Sequence, residues 1–151
     1  MSLNWKYALG FGLGLWAIIF IGVSAIMVTP LALIWQKIAE VILVAAAAFI
    51  LAKIYFKKNP GDLLQGFVLA LSWFIVGIIL DLLVTIQYVK GTGTYVDGLK
   101  EFYGTWNLWA GIVLMFVAVA LAAKITRGGE LMQKPQPPSP QPPTTPISPT
   151  V

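Results

Sequence analysis

From Leu63 to Val89 the chain reads LLQGFVLALSWFIVGIILDLLVTIQYV, an apolar stretch long enough to cross a bilayer, with one carboxylate, Asp81, well inside it. About 20 consecutive apolar residues make one spanning helix. A charge within such a helix costs on the order of 3 kcal/mol by insertion scales unless it is paired, neutralised or hydrated. What meets Asp81 on a neighbouring helix therefore constrains the fold more than any other feature of the chain.

Composition supports a lipid-embedded reading. Of the 151 residues, 58% are hydrophobic and 11% charged, against about 45–50% and about 25% in soluble domains. The sequence has no Cys and no His. Disulfides, thiolate nucleophiles, the usual nitrogen and sulfur zinc sites and Ser-His-Asp catalysis are thereby excluded. Net charge is +4, yet the cations are scattered at helix ends, which indicates orientation in a membrane and not nucleic-acid binding.

Three further spans follow from the same length argument. Tyr7 to Val28 carries no charge. A cleaved signal peptide is the rival reading of this segment, since Lys6 precedes it and Val23-Ser24-Ala25 ends it. The apolar run exceeds the usual core of about 7–15 residues, which favours a span. Gly10-Phe-Gly-Leu-Gly14 resembles part of a dinucleotide fingerprint but follows no strand; Gly10 and Gly14 read instead as a small-residue pair admitting a second helix. Thr29-Pro30 marks a turn. The second span, 31–56, must include Trp35, Lys37 and Glu40, because its purely apolar part, 41–52, is too short to cross. Asn59-Pro60-Gly61-Asp62 is a turn by composition, and Asp62 is placed to cap the span that opens at Leu63.

Residues 90–104 form the one sizeable loop, in which Tyr95, Leu99, Phe102 and Tyr103 can make the apolar face of a short interfacial helix. The fourth span, 105–125, enters through Trp106 and Trp109. Lys124, Arg127 and Gly128-Gly129 are expected to end it. From Pro135 the last 17 residues hold eight prolines and no charge. Residues 131–151 are accordingly expected to be a disordered, Pro-rich tail. The expected fold class is all-α: an integral membrane four-helix bundle over residues 1–130, followed by that tail.

Lys6, Lys53, Lys57, Lys58, Lys124, Arg127 and Lys134 fall on one side of a four-span topology, and only Lys90 and Lys100 in the loop on the other. The positive-inside rule then places both termini in the cytoplasm and the protein in the cell membrane.

Depth can be reckoned from helix rise. Lys37 lies seven residues from Pro30 and Asp81 seven from Tyr88, each roughly 10 Å below the same boundary at 1.5 Å per residue. Glu40 is one turn deeper on the face that carries Lys37. Matched depth on consecutive helices predicts a buried Lys37–Asp81 ion pair with Glu40 as a third member. Such a triad carries one net negative charge, which a proton, a cation or water must compensate. Thr85, one turn from Asp81, and Asn107 on the fourth span complete the candidate intramembrane polar cluster. Two readings stay open. The cluster is structural, fixing helix register, or its carboxylates couple a proton or cation to transport. Small residues recur at helical spacing on the third span (Gly66, Ala70, Gly77) and the fourth (Gly111, Ala118, Ala122), as helix contacts in lipid require.

The segments GIILDLLVTIQ, around Asp81, and WNLWAGIVLMF resemble those of small uncharacterised four-span prokaryotic membrane proteins, a resemblance that implies the bundle fold and no assigned activity. Small multidrug transporters of similar size carry their essential Glu in the first span, which has no acid here. The Gly/Arg-rich signature of small fluoride channels is absent. The functional expectation is a non-enzymatic structural or accessory membrane component, with a small proton- or cation-coupled transporter or channel acting through Glu40 and Asp81 as the alternative. No cofactor or metal is expected. The expected partners are the lipid bilayer and further copies or a larger membrane complex, with no nucleic acid.

Overall fold

In a computed structural model residues 4–133 are described, with side chains to residue 127. Five helices are present among the described residues: α1 (Trp5–Met27), α2 (Leu33–Lys58), α3 (Leu63–Val89), α4 (Tyr95–Tyr103) and α5 (Trp106–Gln133). There is no strand among the described residues. Four of the helices, all but α4, are long and apolar enough to cross a membrane, compatible with an integral membrane protein. The Pro-rich tail expected from 131 onward lies, from residue 134, outside the described residues.

Each boundary has a local cause. Pro30 keeps the residues around it extended, so α2 starts at Leu33, two residues beyond expectation. Gln36 Nε2 donates to the carbonyls of Thr29 (3.1 Å) and Leu31 (3.2 Å), which the turn would otherwise leave unbonded. Asp62 caps α3 as expected, its carboxylate accepting from Gln65 N–H at 2.9 Å. Gly91, at φ 51°, takes the left-handed conformation just after α3. Thr94 and Asp97 form a reciprocal capping box at the start of α4. The expected stop at Lys124–Gly129 is not used: α5 continues to Gln133. Two glycines cost a helix only about 1 kcal/mol each, and the next obligatory breaker is Pro135.

The four long helices are arranged in a ring in the order α1, α2, α5, α3. Helix α2 packs most extensively on α5, α1 lies against α2 and α3, and α3 lies against α5. Consecutive helices α2 and α3 therefore stand across a diagonal. Small residues set the seams. Gly12 lies against Trp73 and Gly66 against Ala123, where added Cβ atoms would come to 2.9 and 3.1 Å. Gly111 faces Val44. The expected Gly10–Gly14 seam does not form, because nothing lies within 4 Å of a Cβ at either position. The α1–α3 seam runs instead through Ala8 and Gly12, and Trp73 Nε1 donates to Ala8 O at 2.9 Å. This shift of one helical face follows from the indole, which needs an acceptor and finds a backbone carbonyl that only small neighbours leave accessible.

Packing is uneven along the bundle. Tyr55, Phe56, Leu69, Trp73, Val119 and Ala123 are fully or almost fully buried, and all lie in the half that holds the start of α1. Large apolar side chains such as Leu13, Phe67, Ile75, Ile79, Val117 and Leu121 face outward, as lipid-facing positions do. The half capped by α4 is open inside.

Candidate functional site

That open half is a cavity of about 700 Å³ lined by all four long helices, by α4 and by the α4–α5 connection. It extends from Gly12, Trp73 and Met115 near the middle of the bundle to Leu33 and Glu101 at the α4 end. Lys37, Glu40, Asp81, Thr85 and Asn107, the five residues of the expected polar cluster, all line it. Trp16, Phe20, Phe74, Phe102 and Trp109 supply aromatic walls.

The partners within the cluster differ from expectation. No Lys or Arg nitrogen lies within 4.0 Å of a carboxylate oxygen among the described residues, so the Lys37–Asp81–Glu40 ion-pair triad is absent. The reason is the ring order: equal depth brings two side chains together only on adjacent helices, and α2 and α3 are diagonal. Asp81 instead accepts from Trp16 Nε1 of α1 at 2.9 Å and from Thr85 Oγ1 at 2.7 Å, both on Oδ1. Glu40 Oε2 accepts from Asn107 Nδ2 of α5 at 2.6 Å. Each carboxylate is thus bonded to a helix that is its neighbour in the ring. Such bonds from neutral donors satisfy a carboxylate without a second buried charge.

Backbone irregularity coincides with the site. Residues Asp81–Thr85 form a π-helical turn within α3, in which Ile86 N–H donates to Asp81 O, five residues back. Such single turns occur mostly inside α-helices and often at functional positions. Within this turn the Thr85 hydroxyl lies on the Asp81 carboxylate, four residues back. Tyr95 Oη of α4 donates to Leu82 O at 2.8 Å, fastening α4 to the widened turn. Gly98 makes the approach possible: a Cβ there would stand 3.2 Å from Ile86 O. Ile86 is fully buried at this junction.

Helix α4 brings one more polar group to the cavity. The Tyr103 hydroxyl is buried and makes no hydrogen bond among the described residues, and the same holds for Asn107 Oδ1. Burial pushes the Tyr103 phenol above its ordinary pKa, with the charges of Asp81 and Tyr95 acting in the same direction. The phenol is therefore protonated at neutral pH and can donate or accept. No group of three or more His, Cys, Asp or Glu side chains that could hold a metal ion occurs among the described residues.

The five polar residues named from the sequence all line the cavity, whereas Trp16, Tyr103 and the π turn were not named as part of it. For Trp16 a signal existed: an indole N–H in the middle of a span must find an acceptor, and Asp81 was the carboxylate without a local donor besides Thr85. For Tyr103 and the π turn no local signal is evident. Comparison with known proteins finds no family model that matches the chain, no similar curated protein and no similar solved structure.

Proposed function

We propose that the protein is a small, non-enzymatic membrane transporter whose solute pathway includes the α4-end cavity, with Glu40 and Asp81 as proton- or cation-coupling groups. One observation carries this reading: two intramembrane carboxylates line a single cavity, and among the described residues no Lys or Arg nitrogen comes within 4.0 Å of either, Lys37 acting on Glu40 by charge from farther off. Ionisable residues at such depth are rare and mark ion or substrate routes. The sequence supplies no His or Cys, and the hydroxyl beside Asp81 is that of Thr85, which donates to Asp81 Oδ1 within the same helix; this favours reading the carboxylates as coupling groups and not as catalysts. The cavity lies within one copy, so an oligomer or a larger complex would align several such cavities. We place the protein in the cell membrane with both termini cytoplasmic and the α4 end outside, supported by the Lys and Arg asymmetry.

The test is flux in reconstituted vesicles under imposed proton and cation gradients. Flux that is abolished by Glu40→Gln or Asp81→Asn in protein that still folds supports the reading. A wild-type protein inactive across a panel of ions and pH gradients contradicts it. Topology is tested separately. A cysteine at Gly93 should react with an impermeant reagent outside intact cells, and one in the 53–62 connection should not; the reverse pattern sinks the orientation.

A second reading, a structural or accessory component, has its own support. The Trp16–Asp81 bond ties α1 to α3, and the Asn107–Glu40 bond ties α2 to α5. Under this reading the same substitutions change thermal stability and nothing else.

A further inference from the structure

Unused hydrogen-bonding capacity in the cavity is mostly accepting, the neutral exception being the Tyr103 hydroxyl, which can donate or accept. Asp81 receives both donors on Oδ1 and Glu40 receives its one on Oε2, leaving Asp81 Oδ2 and Glu40 Oε1 without a donor among the described residues. Asn107 Oδ1, also an acceptor, is buried and unpartnered on the Glu40 side. Among the lining side chains the one cationic donor is Lys37, which has no carboxylate oxygen within 4.0 Å among the described residues and acts on Glu40 by charge alone. Charge is lopsided in the same sense: Glu40 and Asp81, with Glu101 at the α4 end, outnumber Lys37.

A complementary ligand carries positive charge and N–H donors. The rest of the lining says what is attached to that charge. Trp16, Phe20, Trp73, Phe74, Phe102 and Trp109 present rings, which attract cations over their faces and bury apolar groups. A hard inorganic cation prefers a shell of several oxygens to such walls. The cavity, at about 700 Å³, lies within the range of small-molecule sites.

We propose that the cavity binds an organic amine in its ammonium form. The ammonium donates to Asp81 Oδ2, the carboxylate held in place by Trp16 and Thr85. Glu40 acts from another wall by charge, and the apolar body lies against the rings. Lys37 is the internal rival, a fixed cation that disfavours a second one. The proposal rests on reading the cavity as a solute site and names the class of solute. A free amine and the headgroup of phosphatidylethanolamine share this chemistry.

The experiment is calorimetric titration of the full chain in lipid nanodiscs, with protein-free discs as the blank. Three probes separate charge from donors: phenethylammonium, its neutral isostere 2-phenylethanol, and the trimethylated cation, which keeps the charge and has no N–H. Phenethylammonium should bind saturably, with the other two about tenfold weaker or more, since the alcohol lacks the positive charge and the trimethylated cation lacks the N–H donors. Asp81→Asn should weaken it about tenfold or more, and Glu40→Gln less. Lys37→Met should tighten it by about threefold to tenfold through loss of like-charge repulsion. That gain cannot come from misfolding, so it stands even where Asp81→Asn proves unstable. Equal binding of the alcohol and the amine, or weaker amine binding in Lys37→Met, overturns the proposal. Discs with phosphatidylethanolamine identify the source: competition with the probe makes the ligand a lipid headgroup, and its absence makes it a free amine, the ammonium site standing in both cases. Amine binding without any flux retires the transport reading alone. Flux without amine binding retires this inference alone.

Discussion

A carboxylate within a bilayer needs hydrogen-bond donors, and Asp81 finds them in an indole and a hydroxyl instead of an ammonium. Axial rise, which the sequence supplies, puts Lys37 and Asp81 at matched depth with Glu40 one turn deeper. It left the azimuth open, and azimuth decides contact. This distinction predicts two double-mutant cycles with different outcomes. Lys37→Met and Asp81→Leu should be additive within about 0.3–0.5 kcal/mol, as for side chains without contact. Trp16→Phe and Asp81→Asn should be coupled by roughly 0.5–3 kcal/mol, because the single indole donor and Asp81 Oδ1 share one bond. Unfolding in detergent, followed by near-ultraviolet circular dichroism, measures both. Strong coupling in the first cycle would restore the ion pair and overturn the bonding described here.

At the scale of elements, α4 and the π turn behave as one unit. Tyr95 satisfies a carbonyl of the widened turn, and Gly98 lets α4 lie against the buried Ile86. Tyr95→Phe should therefore cost roughly 0.5–1.5 kcal/mol and raise amide exchange both in α4 and at residues 82–86. Faster exchange in α4 alone would mean that the two are not fastened together. The capping box makes a pH prediction. Its bonds from Thr94 hold the Asp97 carboxyl below its usual 3.8, so the stability it gives α4 is present above that value. It is lost as pH falls through the lower folded value, because the unfolded chain takes up the proton first. The Cα shifts of residues 95–98 should move toward coil as pH drops below about 4, and Asp97→Asn should remove that dependence. The short amphipathic helix was legible because Tyr95, Leu99, Phe102 and Tyr103 alternate with charges that face water. Its attachment to α3 was not, since a tyrosine hydroxyl reaching a backbone carbonyl leaves no mark in the pattern of side chains.

Across the whole molecule, span number and length were readable from apolar runs, whereas the ring order was not. In lipid the outward face is as apolar as the inward one, so hydropathy does not say which neighbour a helix chooses. Small residues narrow the choice but do not settle it: Gly10 and Gly14 look like a seam and face open space, while Gly12 between them packs on Trp73. The same contrast predicts how the bundle answers to bulk at its two ends. A Cβ at Gly12 would lie 2.9 Å from Trp73 Cδ1, on the α1–α3 seam where the packed half meets the cavity. Gly12→Leu should open the α1–α3 seam and destabilise the fold by about 1–3 kcal/mol, the usual cost of overpacking. Gly77 lines the cavity, and a Cβ there meets nothing within 4 Å. Gly77→Leu should leave the unfolding midpoint unchanged or raise it, since replacing a mid-helix glycine recovers about 0.5–1 kcal/mol. The leucine would occupy cavity space between Asp81 and Trp73, one helical turn from each, so flux and amine binding should both fall in a protein that is fully folded. A Gly77→Leu protein with wild-type stability, flux and amine binding would show that the cavity serves neither.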